Sequence, residues 1–258
     1  MDTNTTRLKK KIRIICTRTG DKFDQWWEDN LKHMIDTYSG IEYDEFIVIK
    51  ENKFEDEYGT FNNLIMFDRY REDDWINLAF DLDVIIKGDC NKFLKEELHV
   101  CDGRQWQSDE SYAVNSISTD IVSWSGDYSH IYQKVVDDLD YYYVKYHKGI
   151  DSYIYQEHNP KRYTNGYTSI RTMANYANHD VILFNGHYTT MLLRLLVSII
   201  DWLTEEDKKS QRSLLIRIKT YQNNLNMHIC RLTVLKMVGG TIMMSRNTSH
   251  QNFVEVLT

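Results

Sequence analysis

Asp81 and Asp83 stand two residues apart inside an otherwise apolar run, Asn77-Leu78-Ala79-Phe80-Asp81-Leu82-Asp83-Val84-Ile85-Ile86. Carboxylates at i and i+2 of an extended chain project to the same side, and where a strand ends between them both can reach one ion at the edge of a sheet. An unpaired buried charge is expensive, so acids in such surroundings call for a cation. Ligation by oxygen alone suits Mg²⁺ or Mn²⁺. Such an ion can also grip a diphosphate and neutralise it as a leaving group. Short Asp-x-Asp strings also cap strands and turns without binding anything, so the elements around the motif have to decide.

Those elements begin with Lys11-Ile12-Arg13-Ile14-Ile15-Cys16, which alternates and then turns apolar, as a strand entering a core does. Thr17-Arg18-Thr19-Gly20-Asp21 reads as a loop. Between Trp26 and Tyr38 the residues Trp27, Leu31, Met34, Ile35 and Tyr38 share one helical face, and Glu45-Phe46-Ile47-Val48-Ile49 is a second strand. This order is a βαβ unit, which implies a parallel sheet with its ligand site at the strand ends. Glu51 to Tyr58 reads as a polar surface loop, and Leu64-Ile65-Met66-Phe67 as a strand or buried turn. Ala113 to Trp124 and Val181 to Phe184 read as strands, and Ile131 to Tyr146 as one helix. Met191 to Leu203, and a segment opening at Thr204-Glu205-Glu206-Asp207, read as helices of a C-terminal extension. The expected division is a catalytic domain over residues 11–190 and a helical extension over 191–258.

The bulk properties narrow the ligand classes. In 258 residues the net charge is -7, which excludes a broad basic footprint for nucleic acid. A phosphate-bearing ligand therefore needs local help from a metal or a few placed donors. The four cysteines, Cys16, Cys90, Cys101 and Cys230, lack the close pairing of a zinc or redox motif. They read as free thiols in a reducing compartment. No apolar run reaches a membrane span, and Met1-Asp2-Thr3-Asn4 lacks the order of a signal peptide. The expected location is the cytoplasm.

The stretch Phe80-Asp81-Leu82-Asp83-Val84-Ile85-Ile86-Lys87-Gly88-Asp89 resembles the Asp-x-Asp region of GT-A glycosyltransferases, in particular small bacterial and phage sugar transferases similar to glycosyltransferase family 8. Further stretches match in the family's order. Ile14 to Lys22 resembles the first strand and the loop that cradles the nucleoside. Val114-Asn115-Ser116-Ile117 through Trp124 resembles the strand beside the donor sugar. Lys148 to Ile154 resembles a Gly-Asp-Asp/Gln segment, and Thr168-Ser169-Ile170-Arg171 the stretch that follows it. The resemblance covers residues 11 to 187 and implies a GT-A, Rossmann-like α/β fold with a mixed, mostly parallel sheet flanked by helices. It also implies a UDP-sugar or related nucleoside-diphosphate sugar as donor, a saccharide or other hydroxyl as acceptor, and retention at the anomeric carbon.

Carried over position by position, the resemblance places Thr17, Arg18, Thr19 and Lys22 with Asp81, Leu82 and Asp83 around the donor. It puts Asn115 against the sugar and Asp151 at the reacting centre. The family's third metal ligand is a His before a Gly; here Phe184-Asn185-Gly186-His187 stands at the matching place, so Asn185 or His187 is expected to serve. The Gly-Asp-Asp/Gln position reads Gly149-Ile150-Asp151, and the Lys-Pro that often follows the final Gly is missing. Each polar residue also has a structural reading. Arg18 and Lys22 can be solvated loop charges, Asn115 a satisfied strand residue, and Asp151 a helix cap rather than a base. Two other readings stay open. One is a non-catalytic nucleotide- or sugar-binding protein with a degenerate site. The other is a haloacid-dehalogenase-like phosphatase, against which Val84-Ile85 after the acids and the preceding βαβ unit both speak.

Overall fold

The computed structural model describes residues 10–55, 60–105, 116–147, 149–169 and 178–184, and two short strands beyond them. The chain opens with β1 (Lys11–Thr17), α1 (Gln25–Tyr38) and β2 (Glu45–Ile49). β1 and β2 pair in parallel, as a βαβ unit requires. After a 3₁₀ turn at Thr60–Leu64 come α2 (Ile65–Arg69), β3 (Trp75–Phe80), β4 (Val84–Ile86), β5 (His99–Asp102) and β6 (Ile117–Trp124). Three helices follow: α3 (Ser129–Asp137), α4 (Leu139–Lys145) and α5 (Ile150–His158). The remaining strands are β7 (Lys161–Tyr163), β8 (Tyr167–Ser169), β9 (Val181–Leu183), β10 (Leu232–Thr233) and β11 (Met243–Met244).

The central sheet runs β2-β1-β3-β6-β5-β7. β1 pairs in parallel with β2 and β3, and β5 with β7, while β6 is antiparallel to both of its neighbours. It is thus mixed and mostly parallel. A second, three-stranded sheet has the order β4-β9-β8.

Side-chain alternation along β1 explains the layering. Ile12, Ile14 and Cys16 join α1 residues Trp27, Leu31, Met34 and Ile35 in one apolar cluster, which also holds Leu82 and all of β4. Ile15 faces the other way, into a cluster built with α2, α3 and α5. The sheet is therefore covered on both faces, the condition under which parallel strands are stable.

Three elements differ from expectation. Leu64 to Phe67 is helical, not extended; a run of four buried apolar residues has no period that tells a strand from a helix turn. The helix expected from Ile131 to Tyr146 is two helices. Asp138 breaks it at φ -149°, ψ 64°, and Tyr132 and Val135 from one half then pack in the same cluster as Tyr142 and Tyr146 from the other. The loop after β2 is not wholly superficial. Phe54 is buried, and the Asn62 side chain accepts from the backbone N–H groups of Lys53 and Phe54 at 2.7 and 2.9 Å. The described cysteines, Cys16, Cys90 and Cys101, are free, as expected, and all three are buried. No helix among the described residues is long and apolar enough to cross a membrane. Residues 191–231, on which most of the expected C-terminal extension falls, lie outside the described residues.

Candidate functional site

β3 ends at Phe80, before either acid, so Asp81 and Asp83 do not share one strand face as their spacing alone implied. Asp81-Leu82-Asp83 is instead the junction between the two sheets, with β3 on one side and β4 on the other. Its backbone is tied at both ends: Asp81 N–H donates to Asp120 O at 2.9 Å, and Phe184 N–H donates to Asp83 O at 3.2 Å. Leu82 is buried in the core under α1, so it anchors the junction and any ligand contact it makes must come from its backbone.

β3 and β6 run antiparallel with Phe80 opposite Ile121. One further step of the same register sets Asp81 opposite Asp120, which is how an acid almost forty positions away joins the motif. Oxygens of Asp81, Asp83 and Asp120 all lie within 4.8 Å of one another. In an octahedral Mg²⁺ or Mn²⁺ site, neighbouring ligand oxygens stand about 3 Å apart and opposite ones about 4.2 Å, so the three carboxylates are near enough to share one ion once they draw in around it. Asp83 and Asp120 are buried and Asp81 is half-buried.

The electrostatics point the same way. Two carboxylates at such a separation repel by roughly 3–4 kcal/mol at an effective dielectric constant of 20. Desolvation, then Asp120, Asp83 and Asp151, hold the Asp81 carboxyl well above its usual range. Burial raises Asp83 to about 6, with Asp120 adding and Lys22 opposing. The Lys22 ammonium stands 3.8 Å from Asp83 and is 63% exposed, so solvent screens much of its help. Ser118 donates its hydroxyl to Asp120. A cluster of this charge and burial fits a divalent cation bound through oxygen.

Asp151 lies in the first turn of α5, not at its cap. The helix starts after Gly149, whose φ of 107° is open only to glycine at low cost. Asp151 Oδ1 accepts from Thr119 N–H at 2.9 Å and from the Thr119 hydroxyl at 2.7 Å. Desolvation first, and Asp120 second, push it up to about 6. β6 thus supplies both Asp120 to the acids and Thr119 to Asp151. The loop after β1 completes this edge. Arg18 is not a free loop charge: its guanidinium pairs with buried Glu28 of α1, which Lys50 also approaches at 3.2 Å. Cys16 sits in this neighbourhood, and burial, with Glu28 and Asp81, pushes its thiol up to about 12. It is no nucleophile near neutral pH.

The structure therefore brings together Asp81, Asp83, Asp151 and Lys22, with Arg18 engaged beside them. Asn115, Asn185 and His187 lie outside the described residues. Asp120 and Thr119 are additions that sequence reasoning missed. The signal was available for Asp120, an acid flanked by Ile117, Ile121 and Val122 in a segment read as a strand, which is the same anomaly that marked Asp81.

A pH response follows. The usual carboxyl value is 3.8 and Asp83 in the fold is about 6, so between these values the folded state binds more protons than the unfolded one. Without metal, the contribution of Asp83 to stability therefore falls as pH rises through that window. The expected result is a gain in melting temperature on adding Mn²⁺ that grows between pH 4 and pH 6.5. Differential scanning fluorimetry at several pH values checks this, and a Mn²⁺ gain that shrinks as pH rises would contradict it.

No family model matches the chain, and no curated protein matches it. Among solved structures, the apo form of the glycosyltransferase GlyE from Streptococcus pneumoniae TIGR4 aligns with 77% of this chain and 64% of its own, at 9% identity and a TM-score of 0.51. The chain thus spans less than two thirds of that protein. A glycosyltransferase involved in glycosylation of the major capsid of PBCV-1 aligns with 69% of this chain and 95% of its own, at 12% identity and a TM-score of 0.48. The galactosyltransferase LgtC, solved with donor and acceptor sugar analogs, aligns with 72% of this chain and 95% of its own, at 10% identity and a TM-score of 0.49. At these identities the likeness, carried by GlyE, is one of architecture, and the expected membership of family 8 gains no support from sequence comparison. With its mixed, mostly parallel sheet and an acidic junction at the sheet edge, the chain has a GT-A-like fold.

Proposed function

We propose that this protein transfers a hexosyl group from a nucleoside-diphosphate sugar, a UDP-sugar in the first place, to an acceptor hydroxyl. The observation that carries the reading is the convergence of Asp81, Asp83 and Asp120 within 4.8 Å at the edge where a parallel sheet gathers its ligand-binding loops. A Mn²⁺ or Mg²⁺ ion held by these three carboxylates supplies the charge that a departing nucleoside diphosphate needs. Asn185 and His187 follow Phe184, whose N–H is bonded to Asp83 O, and they are the proposed source of a further ligand. Thr17, at the end of β1, and Thr19 and Lys22, on the loop after it, line the donor side. Arg18 contributes by pinning that loop to Glu28, and Asn115, just before β6, is assigned to a sugar hydroxyl.

Asp151 is the proposed base or acceptor-orienting group. Thr119 holds its Oδ1, which leaves Oδ2 to take up a proton, and a carboxyl raised to about 6 is a better proton acceptor near neutral pH than an ordinary aspartate. Asp151→Asn is expected to lower kcat by about 10²- to 10⁴-fold while leaving the Mn²⁺-induced thermal shift in place. Loss of the thermal shift instead would make Asp151 part of the metal cluster. The deciding experiment screens UDP- and GDP-sugars, with and without Mn²⁺, for thermal stabilisation and for turnover. Stabilisation with turnover only in the presence of metal supports the transferase. Stabilisation without turnover supports a nucleotide- or sugar-binding protein, and no response to any donor removes both readings.

A further inference from the structure

We infer that His130 and His158 form a second metal site, of the zinc class, which ties α3 to the C-terminal end of α5. Along α3, residues His130, Gln133, Lys134 and Asp137 fall at i, i+3, i+4 and i+7 and so share one face. With Glu157 and His158 they line a cleft of about 570 Å³. His158 is at the end of α5 opposite Asp151, seven residues or about 10 Å away along the axis, so this cleft is separate from the aspartate cluster.

The two imidazole rings are 5.4 Å apart, centre to centre, with their planes at 57°. Two imidazoles bound through nitrogen to one tetrahedral ion at a Zn–N distance of about 2.0 Å place their ring centres roughly 5 Å apart. The observed spacing brings the two rings within reach of one ion. The Nε2 atom of His158 is buried and has no hydrogen-bond partner, an arrangement that folded proteins usually avoid and that a bound ion would resolve. His158 is also held neutral, its pKa lowered to about 4 by burial, then by His130 and Lys134, and the neutral ring is the ligating form.

The other polar groups of the cleft are engaged in ways that tolerate a cation. Glu157 accepts from Lys134 at 2.7 Å, from Lys145 at 2.7 Å and from the Tyr146 hydroxyl. Asp137 accepts from Gln133 at 2.7 Å. The last turn of α5 adds the negative end of its dipole beside His158. Imidazole favours Zn²⁺, Ni²⁺ or Cu²⁺, whereas the aspartate cluster favours Mg²⁺ or Mn²⁺. Ligand type therefore sorts ions between the two sites.

The test is a Zn²⁺ titration of the full chain against a chromophoric chelator, with excess Mn²⁺ present to occupy the aspartates. The wild type should bind a zinc equivalent that His130→Gln and His158→Gln each weaken by at least about 10- to 100-fold, the loss typical when even an outer partner of a metal site is removed. His33→Gln, at an exposed position on α1, should change nothing. If His158→Gln does not fold, exposed His130 decides alone. Zinc affinity unchanged in His130→Gln, an equal loss in His33→Gln, or no zinc bound by the wild type under excess Mn²⁺ would each overturn the site.

Discussion

Asp81→Asn is expected to raise the melting temperature of the metal-free protein and, in the same molecule, to remove its response to Mn²⁺. Asparagine keeps the shape of the side chain and discards the charge that Asp120, Asp83 and Asp151 oppose. With each neighbouring pair costing roughly 3–4 kcal/mol before protonation relieves it, a net gain of about 1–2 kcal/mol is a conservative expectation. For a chain of this size that is several degrees in Tm. The catalytic cost runs the other way. Losing the ion's hold on a leaving diphosphate forfeits several kcal/mol of transition-state stabilisation, so turnover of any active donor should fall by at least about 10³-fold. Thermal melts with and without Mn²⁺, paired with donor turnover, check both halves. A destabilised metal-free variant that still responds to Mn²⁺ would mean that Asp81 is a structural cap.

Asp120→Asn should match this pattern, although nothing in the local sequence links Asp120 to the Asp-x-Asp motif. Its backbone oxygen accepts from Asp81 N–H and its carboxylate lies within 4.8 Å of the other two. Removing one of three carboxylates should weaken Mn²⁺ binding by about 100-fold or more, above the loss seen when only an outer partner is removed. Isothermal titration with Mn²⁺ measures this directly. Asn185→Ala and His187→Ala belong in the same experiment. If His187→Ala costs as much as Asp120→Asn, a ligand follows β9 and the carboxylates are three of four. If Asp120→Asn alone leaves affinity intact, Asp120 is a neighbour and the metal reading rests on two acids.

Much of the scaffold was legible because the relevant forces are local. The alternation of Ile12, Ile14 and Cys16 against Ile15 follows from the period of a strand, and Trp27, Leu31, Met34 and Ile35 from the period of a helix. The parallel β1-α1-β2 unit followed from their order. Where a segment had no period, as at Leu64 to Phe67, the choice between strand and helix depended on packing. The break at Asp138 depended likewise on bringing Tyr132 and Tyr142 to one cluster.

The same division holds at the site. The acids within an apolar run and their spacing marked Asp81 and Asp83 as candidates for a divalent cation, because charge burial is costly wherever it occurs, and the surrounding elements with their resemblance to GT-A glycosyltransferases carried that reading. What the tertiary structure alone decided was the company these acids keep. The pairing of β3 with β6, a contact between distant segments, sets Asp120 opposite Asp81 and hands Thr119 to Asp151. The packing of α1 against β1 commits Arg18 to Glu28. Strand register and helix packing are long-range properties, fixed by which faces must be buried together, and they turned a two-residue motif into a three-carboxylate cluster.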